Sequence, residues 1–101
     1  MVARLTKPTG RVLTFLLSAT DGRAYGMELT ENADVGPGTL YPMLARLEKA
    51  GWLTSEWEDV DPAAAGRPAR RYYALTGIGR IEATTLLDRN VAQGFDGLAE
   101  A

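Results

Sequence analysis

With 101 residues, 46% of them apolar and 24% charged, the chain is sized for one domain with one modest core and falls outside the composition of disordered proteins. It contains no Cys and no His, which excludes a disulfide framework and thiolate or imidazole metal sites, and removes the commonest general base. The net charge of −2 is segregated: residues 52–61 carry four acids and no base, residues 66–73 carry Arg67, Arg70 and Arg71 and no acid, and local sign matters more than the mean for binding a polyanion.

The elements follow in chain order. From about Pro8 to Ala19, Val12, Leu13, Phe15, Leu16 and Leu17 give a broad apolar helical face, and Pro8 is tolerated in a first turn. The apolar run from Val12 to Leu17 is too short to span a membrane and has no small-residue cleavage pattern, so neither a membrane association nor a signal peptide is expected and the protein is expected in the cytoplasm. Asp21-Gly22 marks a turn. A short amphipathic helix is predicted from about Ala24 to Asn32, with Tyr25, Leu29 and Ala33 on one side, before Asp34-Val35-Gly36-Pro37-Gly38 breaks it.

A third helix is predicted from about Leu40 to Ala50. Leu40, Leu44 and Leu47 repeat at i, i+4, i+7, and Gly51 stands where a left-handed cap belongs. With Thr39 as N-cap, Pro42 falls at the third helical position, where its missing N–H had no partner. A start at Pro37 would instead bring an expected kink. After Gly51 the period shortens toward two. Trp52 to Glu58 reads as a strand, Asp59 to Pro68 as a loop and Arg70 to Leu75 as a second strand, together a β-hairpin. Thr76 then caps a helix over roughly 77–93, with Ile78, Ile81, Leu87 and Val91 among its apolar positions. The fold class is mainly α with a small β-hairpin.

Two short helices joined by a Gly-containing turn form a helix-turn-helix, whose second helix can enter a DNA major groove. On that helix the leucines face one way, while Pro42, Arg46 and Lys49 fall near the opposite side and Thr39 lies at its edge. Arg46 suits guanine or phosphate equally; Lys49 suits phosphate. Arg67, Arg70 and Arg71 at the hairpin tip have the character of a wing touching flanking phosphates, although Arg70 and Arg71 pair equally well with Glu56 and Glu58 across the strands. The acidic stretch from Glu56 to Asp61 leaves one alternative, a winged-helix module that binds another protein and no DNA. No nucleophile–base pair, phosphate loop or metal cluster is visible, so neither an enzyme nor a cofactor is expected.

The run Gly38-Thr39-Leu40-Tyr41-Pro42-Met43-Leu44-Ala45-Arg46-Leu47-Glu48-Lys49-Ala50-Gly51-Trp52-Leu53 resembles the recognition-helix segment of PadR-family transcriptional regulators. The run Gly66-Arg67-Pro68-Ala69-Arg70-Arg71-Tyr72-Tyr73-Ala74-Leu75-Thr76, followed by Gly79-Arg80, looks like that family's wing and second strand, and Tyr25-Gly26 matches the start of its second helix. The resemblance implies a winged helix-turn-helix over residues 1–75 and a C-terminal dimerisation helix over 76–101, forming one compact unit. It further implies a homodimer that represses from an inverted-repeat operator in double-stranded DNA. Gly38, Thr39, Tyr41, Pro42, Arg46, Lys49, Arg67, Arg70 and Arg71 are the candidate DNA contacts. In the family the last helix packs against the partner's first helix, which nominates Val12, Leu16, Ile81, Leu87, Val91 and Phe95 for the dimer interface. Some short members bind flat aromatic drugs between paired tryptophans on the last helix. Here no Trp follows Trp57, and Phe15, Trp52 and Phe95 are the candidates for lining a small aromatic effector's cavity at the dimer interface.

Overall fold

The structure is a computed structural model that describes residues 5–92, with side chains through residue 89. Its elements are α1 (Lys7–Ser18), β1 (Arg23–Tyr25), α2 (Gly26–Ala33), α3 (Pro37–Lys49), β2 (Leu53–Trp57), a single helical turn α4 (Pro62–Ala65), β3 (Arg71–Leu75) and α5 (Gly77–Ala92). The strands form one antiparallel sheet in the order β1-β3-β2, with Tyr25 opposite Tyr72 and Leu53 opposite Leu75. Apart from the turn α4, which lies inside the segment expected to be a loop, predicted and observed boundaries agree within a few residues except at two places.

The first is β1, which lies where the second helix was expected to begin. Three residues are too few to display a period of two, and their strand state depends on hydrogen bonding to β3, far away in the chain. The hairpin is therefore the major part of a three-stranded sheet. The second is α3, which starts at Pro37 with Gly36 as its N-cap, so that Thr39 lies inside the helix instead of capping it. Gly36 O accepts from the Thr39 and Leu40 amides at 3.1 and 2.9 Å. Pro37 occupies the first turn, where its fixed φ is favourable and no donor is lost. Pro42 then sits in the helix interior. It leaves the Gly38 carbonyl without its i+4 donor, but Gly38 is exposed and water can satisfy that oxygen.

The core lies between the three N-terminal helices and one face of the sheet. Val12, Leu13 and Leu16 of α1 meet Leu29 of α2, Leu40, Leu44 and Leu47 of α3, and Leu53, Tyr73 and Leu75 of the sheet. Each fully buried leucine stabilises the fold by about 1.5–3 kcal/mol. Val12 and Leu16 are wholly buried within this chain. That corrects their nomination for the dimer interface, since a side chain with no exposed area has none to lose to a partner.

The helix-turn-helix is fixed by backbone chemistry at its ends. Asp34 ends α2 in the left-handed conformation, at φ 55°. Arg11 of α1 reaches across to donate to Ala33 O at 2.7 Å and Asp34 O at 3.3 Å, satisfying carbonyls at the helix C-terminus. At the other end of α3, Gly51 adopts φ 86°, as expected of a residue just past the cap.

The last helix is stapled to that same corner. Thr76 caps α5 by accepting from the Gly79 amide at 2.9 Å, and its hydroxyl donates to Gly51 O at 2.7 Å. A Cβ on Gly79 would lie inside the Trp52 carbonyl and 2.9 Å from its Cα, so only glycine allows α5 this close. Ala83, one turn further along, is fully buried, whereas Ile78 and Ile81 are 64% and 67% exposed.

Candidate nucleic-acid interface

The expected division of α3 holds in three dimensions. Leu40, Met43, Leu44 and Leu47 are buried, and Gly38, Thr39, Tyr41, Pro42, Arg46 and Lys49 are exposed. Among the described residues, no hydrogen bond or ion pair engages the side chains of Arg46 and Lys49. Two such cations on the exposed face of a helix suit base edges and phosphates.

The wing is built around Glu58. Its amide donates to Arg70 O at 2.7 Å and closes the hairpin. Its carboxylate accepts from both terminal nitrogens of Arg67, at 2.7 and 3.0 Å, and from the Arg70 amide at 3.2 Å. Asp61 caps the turn α4 through the Ala63 amide, and Gly66 reverses the chain at φ 72°. Glu58 and Asp61 therefore work inside the wing, whereas Glu56 and Asp59 stay exposed.

The Arg67 guanidinium, beside it and bonded to it, holds the Glu58 carboxyl at about 2, against an ordinary 4.5, with burial opposing and the Arg70 amide assisting. Because this pKa is depressed in the folded chain, the clasp contributes fully above about 4.5 and is lost as pH falls toward about 2. Amide hydrogen exchange across residues 59–69, corrected for its intrinsic pH-dependent rate, is therefore expected to keep the same protection from pH 8 to pH 5. Glu58→Gln should accelerate it across that whole range. Equal protection in the variant would show that the ion pair does not hold the wing.

The three wing arginines have different neighbours. Arg67 is bonded to Glu58 through both of its terminal nitrogens. Arg71 donates to Ser55 Oγ at 2.7 Å, lies 4.0 Å from Glu48 of α3 and 5.3 Å from the centre of the Trp57 ring. Ser55 in turn donates to Glu48 at 2.7 Å, so this network ties α3 to the sheet. Arg70 stacks on Tyr25 at 4.3 Å and, among the described residues, forms no ion pair. Neither Arg70 nor Arg71 pairs through its side chain with Glu56 or Glu58.

Between the start of α2, the exposed side of α3 and the wing lies a groove of about 640 Å³, lined by Tyr25, Met27, Tyr41, Trp57 and Tyr73 and by residues 67–71. A Cβ on Gly26 would clash with the Tyr41 hydroxyl and lie 2.9 Å from Cζ, which accounts for the glycine at the start of α2. This groove is not legible along the chain because its residues come from four separate segments, although three of them, Tyr25-Gly26, Tyr41 and residues 67–73, lie in the recognised motifs.

The effector and dimer candidates divide. Trp52 is 8% exposed and belongs to the core, which corrects its nomination as a cavity-lining residue. Phe15 and Leu87 are half-buried against the core, and Ile81 is exposed. The Val91 side chain and Phe95 lie outside the described residues. Among the described residues no helix is long and apolar enough to cross a membrane.

Comparison with known proteins is consistent with this architecture. Transcriptional regulator Rv3488 of Mycobacterium tuberculosis strain H37Rv is 44% identical over 77 residues, covering 71% of this chain and 67% of its own. A PadR-like transcription factor from Bacteroides fragilis superposes with a TM-score of 0.64 at 27% identity, covering 92% of each chain. AbfR of Staphylococcus epidermidis, solved in an overoxidised form bound to DNA, shares the fold with a TM-score of 0.69 at 22% identity, over 93% of this chain and 63% of that one. Residues 16–85, from α1 into α5, match the transcriptional regulator PadR-like family, and with its winged helix-turn-helix and that match over more than half its length, this chain belongs to the PadR-like transcriptional regulators.

Proposed function

We propose that the chain is a cytoplasmic, dimeric repressor that binds an inverted-repeat operator through the exposed face of α3 and the wing. The observation that carries this reading is the pair of unengaged cations, Arg46 and Lys49, on the face of α3 turned away from the core. Wing residue Arg70 adds a third cation without an acidic partner among the described residues. AbfR, which shares this fold, was solved bound to DNA, and that supports DNA as the partner. Ile78 and Ile81 give α5 an exposed apolar strip suited to a second copy, which supports α5 as the dimerisation helix.

The test is selection of duplexes from a random-sequence pool by the purified protein, followed by mobility shifts at rising salt. Enriched sequences should contain two inverted half-sites spaced by about one helical turn. Affinity should fall roughly a thousandfold between 50 and 200 mM salt, since each neutralised phosphate releases counterions. A pool that never converges would overturn the reading.

A further inference from the structure

We propose that the groove between α2, α3 and the wing seats one stretch of the operator's sugar–phosphate backbone, with Trp57 packed against deoxyribose and Arg70 on a phosphate. This deepens the DNA-binding reading and rests on it. The starting observation is where exposed apolar area collects. Among the described residues the large exposed hydrophobic side chains are Met27, Tyr41, Trp57, Ile78 and Ile81. The two isoleucines belong to α5, whereas Met27, Tyr41 and Trp57, at 60%, 47% and 62% exposure, line this one groove. Single exposed apolar residues are ordinary, but three converging on a cleft mark a contact surface.

The chemistry of the lining narrows the occupant. Among the described residues no carboxylate lines the groove, and Arg70 and Arg71 stand at its wall with their guanidinium groups 4.3 and 5.3 Å from the ring centres of Tyr25 and Trp57. A guanidinium stacked on a ring keeps its in-plane N–H donors available, the geometry suited to phosphate. Apolar rings beside Arg70, which among the described residues has no acidic partner, match a DNA strand, which alternates apolar sugar faces with phosphates. Position agrees with chemistry, because Tyr41 belongs both to the groove and to the exposed face of α3. A strand leaving the recognition helix toward the wing would cross this cleft.

Tryptophan fluorescence tests the proposal directly. The chain has two tryptophans, Trp52 in the core and Trp57 in the groove, so Trp57 is the solvent-facing reporter. Titration with a duplex enriched by the wild-type protein should quench and blue-shift its emission, and Trp57→Phe should remove that change. Trp57→Ala should bind about tenfold more weakly with an unaltered circular dichroism spectrum, Trp57→Phe should recover most of the affinity, and Met27→Ala should weaken binding in the same direction. Arg70→Gln should lower the salt slope by about one. Emission and affinity insensitive to position 57, with the duplex still bound, would overturn this inference and leave the DNA-binding reading standing. So would a Trp57→Ala protein that sediments as a monomer where the wild type is a dimer, or emission quenched by 4-hydroxybenzoate and not by duplex. Failure of the wild type to enrich any duplex would instead remove the DNA-binding reading itself.

Discussion

Arg46→Ala is expected to abolish operator binding while leaving the fold intact. The Arg46 side chain is exposed on α3 and, among the described residues, makes no hydrogen bond or ion pair, so its removal breaks nothing within the chain. Surface changes of this kind stay within about 0.5 kcal/mol of neutral, and alanine is a better helix former than arginine. The effect on binding is far larger. A bidentate arginine–guanine contact is worth about 1–3 kcal/mol of discrimination, and a dimer makes it twice, so affinity should drop about a hundredfold or more. Lys49→Ala separates the two roles, because loss of a phosphate contact weakens all sequences alike and lowers the salt slope by about one. Mobility shifts on the selected duplex and on a scrambled one distinguish these patterns. Wild-type affinity in Arg46→Ala would remove this residue from the interface.

The largest expected change in stability comes from Gly79→Ala. The new Cβ would lie inside the Trp52 carbonyl, and the obstacle is backbone, which cannot rotate away as a side chain can. Relief requires α5 to move off the corner where Thr76 bonds to Gly51 and Trp52. That displacement would also disturb Ala83, which is fully buried further along the helix. Overpacking of this sort costs about 3 kcal/mol, the upper part of its usual range. For a chain of this length, that lowers the melting temperature by more than about 10 °C. Gly77→Ala is the internal control. A Cβ there meets nothing within 4 Å, so the helix gains propensity without a clash and the protein should be unchanged or slightly more stable. Thermal melts by circular dichroism at one fixed protein concentration make the comparison, because dimerisation couples melting to concentration. Equal melting temperatures for the two variants would refute the account of how α5 docks.

The glycines of the family motifs acquire physical reasons here. Gly79 lets two backbones touch, Gly51 accepts a left-handed turn after α3, and Gly26 leaves room for the Tyr41 ring. The first governs whether α5 packs at all. The last governs where a groove-lining ring stands. Because Tyr41 is half exposed, it can swing aside, which makes Gly26 a matter of surface shape more than of folding.

The order of the four long helices and the hairpin, the leucine face of α3, the cap at Thr76 and the left-handed Gly51 were all legible in the residues alone. Each depends on local rules, the helical period or a conformation that few side chains tolerate, and the recognised motifs carried the family. Contacts between segments distant along the chain were not legible. Only the folded chain makes Arg23 to Tyr25 a strand, because β3 supplies its partners. Only the folded chain gives Arg67 to Glu58, leaves Arg70 without an ion pair among the described residues, and withdraws Val12, Leu16 and Trp52 into the core. Pattern along a chain reports which residues turn inward, but which inward or charged groups meet one another depends on how the elements cross, and that is set by packing in three dimensions.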